Sequence, residues 1–201
     1  MPLDTYDNLK ISIASWLDRS DLVSQIPDFI TLFEAKANRL LKENKQTNEA
    51  TITPINGEIT VPSDYLGWEE VILNGISPRN LKERSLTFLL SSFPEGIQGR
   101  PEDFAVKGDK ILIRPVSGDD IKLIYTRKIP SLSATNQTNW LLDNHPDAYL
   151  SGSIAVAYTF IGNASASALY DRIREIVLGE INMMKIKYTG TRSRTASGPT
   201  P

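Results

Sequence analysis

The sequence predicts an α+β protein: a mostly helical bundle, built from two N-terminal and two C-terminal helices, with a small antiparallel β lobe in the middle and a disordered C-terminal tail. Three observations carry this prediction. Apolar residues recur at helical spacing over residues 1–46 and 131–188. Over 47–130 the period changes to strand-like alternation, punctuated by the turn dipeptides Asn56-Gly57, Asn74-Gly75 and Gly108-Asp109. Over 189–201 there is no large apolar residue at all, so that segment cannot bury enough surface to order itself.

The first helix follows Asp4, a suitable cap, with Asp7 in the favourable first turn. Leu9, Ile13, Trp16 and Leu17 form its apolar stripe, and Asp18 to Asp21 break it. The second carries Ile26, Phe29, Ile30, Phe33, Ala37, Leu40 and Leu41 on one face. Pro27 suits its first turn, which leaves Leu22 to Gln25 as a separate short turn. Lys42 and Lys45 complement the dipole at its end. Both stripes read as helix-on-helix core.

In the middle segment, Glu58 to Val61, Trp68 to Asn74, Phe104 to Lys107, Lys110 to Ile113 and Ile121 to Thr126 read as short strands, five or six in all. Gly108-Asp109 makes a two-residue hairpin. Ser85 to Ser92 reads as a helical turn inserted between strands. Prolines sit near the strand ends, where a missing N–H is tolerated.

In the last third, His145-Pro146-Asp147 is a helix start: cap, proline at the first helical position, acid in the first turn. Leu150, Ile154, Ala157, Tyr158 and Ile161 make the stripe. Gly162 stops the helix and Asn163 caps the next, whose face is marked by Leu169, Ile173, Ile176, Val177, Glu180 and Met184. So short a connection makes the two helices antiparallel neighbours. Gly152 and the alanines at 155, 157, 164, 166 and 168 permit close backbone approach.

Composition excludes much chemistry. Among 201 residues there is no Cys and one His, so thiolate nucleophiles, Cys-bound metals and His-pair metal sites are out, and no cofactor is expected. Glycine spacing matches neither phosphate-loop nor dinucleotide-binding patterns. His145 has no nucleophile pattern beside it and reads as a helix-start residue. The acid pairs Glu69-Glu70, Glu102-Asp103 and Asp119-Asp120 are the candidates for two-carboxylate glycoside hydrolysis. Adjacent strand residues face opposite ways, so Glu69 and Glu70 are poorly placed to share a site, and the other two pairs read as solvated turn acids. Residues 1–10 lack a basic-then-apolar leader pattern, and Ile154–Ile161 is too short to span a bilayer. A soluble protein made in a cytoplasm, without membrane association, is the expectation.

Charge is unevenly spread. Residues 1–50 carry 6 basic and 8 acidic groups, 51–150 carry 10 and 13, and 151–201 carry 6 and 3. An acidic body therefore precedes a basic end. The total of −2 argues against a dedicated nucleic-acid binder.

Three motifs in order carry a resemblance. They are Leu9-x3-Ile13-x2-Trp16-Leu17-x-Arg19-x-Asp21-Leu22 continuing into Ile26-Pro27-Asp28-Phe29-Ile30-x-Leu32-x-Glu34 and Arg39-x-Leu41; Val61-Pro62-Ser63-Asp64-Tyr65-Leu66 leading to Val71-x-Leu73-Asn74-Gly75; and Thr138-Asn139-Trp140-Leu141-Leu142-Asp143-x-His145-Pro146-Asp147-x-Tyr149-Leu150. Over about 1–75 and 120–185 the chain resembles the head-to-tail adaptor family of tailed bacteriophages, also called tail accessory or connector proteins. The resemblance implies a structural virion protein at the capsid portal vertex, not an enzyme. Its copies would form a homo-oligomeric ring, commonly a dodecamer, beneath the portal protein ring. That ring would extend the channel for packaged DNA without reading its sequence, and would seat tail hub, nozzle or stopper proteins. By the same resemblance the C-terminal segment reaches along the portal, which makes Thr189, Arg192, Arg194 and Pro199 the candidate portal-binding residues. The free protein is expected to be monomeric or weakly associating, with the ring forming on the portal. The alternative is a tail-associated peptidoglycan hydrolase using paired carboxylates.

Overall fold

The computed structural model describes residues 3–41, 46–94 and 96–188. Among these the chain is α+β, with six helices and two four-stranded sheets. It divides into two compact units, one combining Met1–Asn44 with Ile129–Pro201, the other Lys45–Lys128.

In the first unit, α1 (Tyr6–Leu17) buries Leu9, Ile13 and Leu17. Trp16, expected in that stripe, is 56% exposed. The cap is Thr5 rather than Asp4: Thr5 Oγ1 accepts the Asn8 N–H at 3.2 Å, while the Asp4 carboxylate takes the Asn8 amide at 2.7 Å. A hydroxyl at the cap position meets the orphan N–H directly, and the acid one residue earlier is left for the side chain. Asp18, left-handed at φ 50°, ends the helix. After a turn closed on the Leu22 carbonyl, α2 (Ile26–Leu40) starts with Pro27 in its first turn and buries Ile26, Phe29, Ile30, Phe33 and Ala37. Leu40 turns outward and Leu41 is buried instead. Lys42 and Lys45 lie outside the described residues.

Two helices and an additional short one complete the unit. The extra helix, α4 (Trp140–Asn144), was not apparent from periodicity because it spans little more than one turn. It is held by Asn139, whose Oδ1 accepts from Leu141 N at 3.1 Å and Leu142 N at 2.9 Å. Next, α5 (Pro146–Ile161) is buried almost continuously from Ala148 to Ala157 and touches α1, α2, α4 and α6 (Ala164–Tyr188). Its centre approaches α2 so closely that a Cβ on Gly152 would lie 2.0 Å from Phe33 Cδ2. The Phe33 ring also meets Tyr149 edge-on, with centroids 5.0 Å apart. Gly162 at φ 81° ends α5, and Asn163 Oδ1 accepts from Ala166 N to start α6. The buried side of α6 differs from the expected one. Arg174, Leu178 and Ile181 are buried and Val177 packs partly buried against the core as expected, whereas Leu169, Ile173 and Ile176 are exposed. The side chain of Met184 is outside the description.

In the second unit, one sheet runs in the order β1 (Thr47–Ile52), β8 (Ile121–Arg127), β3 (Tyr65–Leu73), β4 (Arg79–Asn80). The other runs β2 (Glu58–Thr60), β7 (Lys110–Arg114), β6 (Asp103–Lys107), β5 (Lys82–Glu83). Eight strands among the described residues exceed the five or six expected: β4 and β5 are two residues each, and β1, with the sequence Thr-Asn-Glu-Ala-Thr-Ile, is too polar to show an alternating apolar face. The pairing is antiparallel except between β5 and β6, which are parallel. Val71, Leu73, Ile121, Leu123 and Tyr125 of one sheet pack with Ile59, Phe104, Ile111 and Ile113 of the other. On the opposite face of the second sheet, α3 (Leu86–Ser92), capped by Ser85, covers Ala105 and Leu112 with Leu89. Strands β6 and β7 are thus sandwiched on both sides. Asn56 and Gly57, both at positive φ (53° and 72°), make the two-residue turn anticipated from the sequence, with reciprocal backbone bonds between Ile55 and Glu58. That turn leads the chain from the first sheet into the second.

Candidate functional site

Three kinds of place were candidates: the acid pairs, a site made by distant motif residues, and exposed surface. The structure treats each differently.

The acid pairs do not converge. Glu69 accepts from the hydroxyls of Thr47 and Thr126, at 3.1 and 2.9 Å, and Glu70 is exposed. Glu102 pairs with Arg79. Asp103 is buried rather than a solvated turn acid, because it begins β6 and meets Arg84 Nε at 3.2 Å. Asp119 takes the Ser117 hydroxyl and Asp120 the Thr53 hydroxyl, both at 2.6 Å. Glu69, Glu102, Asp103, Asp119 and Asp120 are thus each held by a different set of partners. His145 ends α4 and precedes α5 as expected, with no side-chain cap bond. Among the described residues, no group of three or more His, Asp or Glu side chains is placed to hold a metal ion. Likewise no described helix is long and apolar enough to cross a membrane.

The motif residues do converge. Glu34 of α2 is 3% exposed, with Oε1 accepting the Leu132 N–H at 2.9 Å and the Tyr149 hydroxyl at 2.9 Å. The Asn139 amide donates to the Tyr149 oxygen at 2.6 Å and to the Pro130 carbonyl at 2.8 Å, while its Oδ1 holds the start of α4. One turn further along α2, Asn38 Oδ1 accepts the Ile129 N–H at 2.7 Å. The chain from 129 to 139 has little regular structure, and this network satisfies backbone groups that no ladder satisfies.

Burial pushes the Glu34 carboxyl above its ordinary range, opposed by the hydrogen bonds from Leu132 and Tyr149. Burial first, and then the Glu34 charge, push the Tyr149 hydroxyl far above its ordinary value. Tyr149 therefore stays protonated and keeps donating. The first and third resemblance motifs, more than a hundred residues apart, thus meet at one buried hydrogen-bond hub. Sequence periodicity passed over Glu34 although a signal exists: it sits inside the α2 stripe, four residues after Ile30 and three before Ala37. An acid in a core stripe demands a partner.

In the second unit, Arg114 is 6% exposed. Its Nη1 donates to the Gly57 carbonyl at 3.0 Å and the Ile113 carbonyl at 2.8 Å. A Cβ on Gly57 would lie 2.5 Å from that nitrogen, so the Asn56-Gly57 turn leaves room for the guanidinium. It lines an open cleft of about 420 Å³ with Glu58, Gln98 and Val116.

The helical unit exposes several large apolar side chains. Along α6, Leu169, Ile176 and Met183 are 58%, 54% and 66% exposed. A groove of about 480 Å³ lies among Ile11, Ala14, Val23 and Pro27, with Asp7 and Lys10 at its lip. Thr189, Arg192, Arg194 and Pro199, the candidate portal-binding residues, lie outside the described residues.

No curated protein matches the chain. The family model described as SU10 adaptor protein matches residues 4–199, which takes in both units and all three sequence motifs, so the chain belongs to this family of phage head-to-tail adaptors.

Proposed function

We propose that the protein forms a ring beneath the portal, extends the DNA channel of the virion, and offers its far side to tail proteins. Family membership over residues 4–199 carries this reading. Adaptors are structural components of the head–tail junction, associated with portal and tail parts. The ring, its copy number and its position are our proposal. So is the division of labour, in which a helical bundle of 1–46 with 131–188 acts as one domain and the β lobe of 47–130 as another.

Physics supports the assignment. Large apolar side chains exposed along α6 suit contact work. Near-neutral total charge suits a channel wall, because a strongly basic one would hold phosphate by counterion release. The segment from Thr189 to Pro201, with Arg192 and Arg194, reaches along the portal and orders there. Ordering such a segment costs about 2–5 kcal/mol, which many copies on one ring offset through avidity.

The test mixes the purified protein with its cognate portal and images the product. Added ring density below the portal is the expected result, and portal particles without it refute the proposal. A chain ending at Lys187 should bind the portal measurably more weakly. Unchanged binding removes the role given to the tail.

A further inference from the structure

Helix α6 has two apolar faces and only one is used. Leu178 and Ile181 are buried in the unit. On the far face Leu169, Ile173, Ile176 and Met183 follow one another at steps of four, three and seven residues, which places them along one seam. All four are exposed. Scattered apolar residues on a surface need no explanation, but a continuous seam does. The stretches 42–45, Lys-Glu-Asn-Lys, and 189–201 hold no large apolar residue.

The same unit carries an unfilled groove of matching chemistry. Ile11 and Val23, 48% and 53% exposed, flank it with Ala14 and Pro27. Its lip charges are Asp7 and Lys10, three residues apart and 2.8 Å from each other. Beside the α6 seam, Arg172 and Glu175 are exposed at the same spacing with the opposite order of charge. Helices laid side by side in the same direction would set Arg172 against Asp7 and Glu175 against Lys10. Ridge and groove are different surfaces of one chain. A contact between them is heterologous and repeats from copy to copy, as a ring requires.

We infer that the α6 seam of one copy seats in the α1–α2 groove of the next copy. The inference rests on the ring proposed above and names the faces that build it. A seam-to-seam contact, by contrast, would close into a dimer and stop.

The chain contains no Cys, which makes cross-linking clean. Two double variants are made, Val23→Cys with Ile176→Cys and Ile11→Cys with Ile176→Cys, all at exposed positions. Each is assembled on the portal and treated with a short bismaleimide. At least one double variant should give a ladder of covalent multimers on a denaturing gel. An equal mixture of the matching single variants should stop at dimers, and each single variant alone should stay monomeric. Dimers from Ile176→Cys alone would overturn the inference in favour of a seam-to-seam contact. Monomer bands from both double variants, in samples whose untreated halves show the ring, would also overturn it. If wild-type protein forms no ring, the functional proposal fails first and takes this contact with it, an outcome that imaging separates from the other two.

Discussion

The Glu34 hub gives the sharpest quantitative expectation. Replacing Glu34 by Ala removes the acceptor of two buried donors, the Leu132 N–H and the Tyr149 hydroxyl. Each buried donor left without a partner costs about 1–3 kcal/mol. Relief from burying a carboxylate offsets part of this, so a loss of about 2–5 kcal/mol is expected. Glu34→Gln keeps an oxygen for both donors and removes the charge. It should lie within about 1 kcal/mol of wild type near neutrality.

The pH dependence separates the two effects. In the folded state the Glu34 carboxyl is raised above its ordinary 4.5. The folded state then holds the proton more tightly than the unfolded one. This group's contribution is fully present below the unfolded value and is lost as pH rises through the folded value. Wild type should therefore lose stability relative to Glu34→Gln as pH rises from the acid range towards neutrality. Urea unfolding followed by tryptophan fluorescence measures both variants, since Trp140 adjoins the Asn139 cap; coincidence with circular dichroism checks two-state behaviour. Parallel pH profiles for wild type and Glu34→Gln, or a loss below about 0.5 kcal/mol for Glu34→Ala, would refute the assignment of Glu34 as a buried charged acceptor.

Two further substitutions test close approaches. Gly152→Ala puts a methyl 2.0 Å from the Phe33 ring, which is pinned by Tyr149; a loss of about 3 kcal/mol in urea unfolding is expected, partly recovered by adding Phe33→Leu. Gly57→Ala meets Arg114 Nη1 at 2.5 Å and the Ile113 carbonyl at 2.9 Å, at a φ of 72° that disfavours a Cβ; about 2–4 kcal/mol should be lost, with faster amide exchange at Glu58 and Ile113 as the local signature.

What the sequence showed and what it hid divide along physical lines. Helix starts and stops were legible wherever one residue type does one job, as at Pro27, Pro146, Gly162 and Asn163. The turn at Asn56-Gly57 was legible because only such residues tolerate two successive positive φ angles. Short elements were not: β4, β5 and α4 are too brief for any period to show. Sheet partnership was hidden too, since nothing local says that β1 pairs with β8 while β2, six residues after it, joins the other sheet. The candidate site was partly visible. Glu34, Asn139 and Tyr149 all lie within the resemblance motifs, but that they touch is a long-range fact. Their polarity inside apolar stripes was the available clue.

The misplaced face of α6 has a different cause. Hydrophobic periodicity does not distinguish surface buried within one chain from surface buried against another molecule. The α6 core face contains Arg174, 1% exposed, whose guanidinium turns to Asp171 and Glu175 at the helix margin. That face carries a buried cation beside Leu178 and Ile181, whereas the outward one carries Leu169, Ile173, Ile176 and Met183. A monomer selected only for its own stability would place its best apolar stripe inward, because outward apolar side chains return nothing to an isolated fold. The inversion is intelligible if the outward stripe is buried in the assembly and the inward one needs only enough area to fix the helix. On that view the outward stripe of α6 reports the neighbour's core, and the alternation of charge at Arg172 and Glu175 beside it sets the register in which that neighbour arrives.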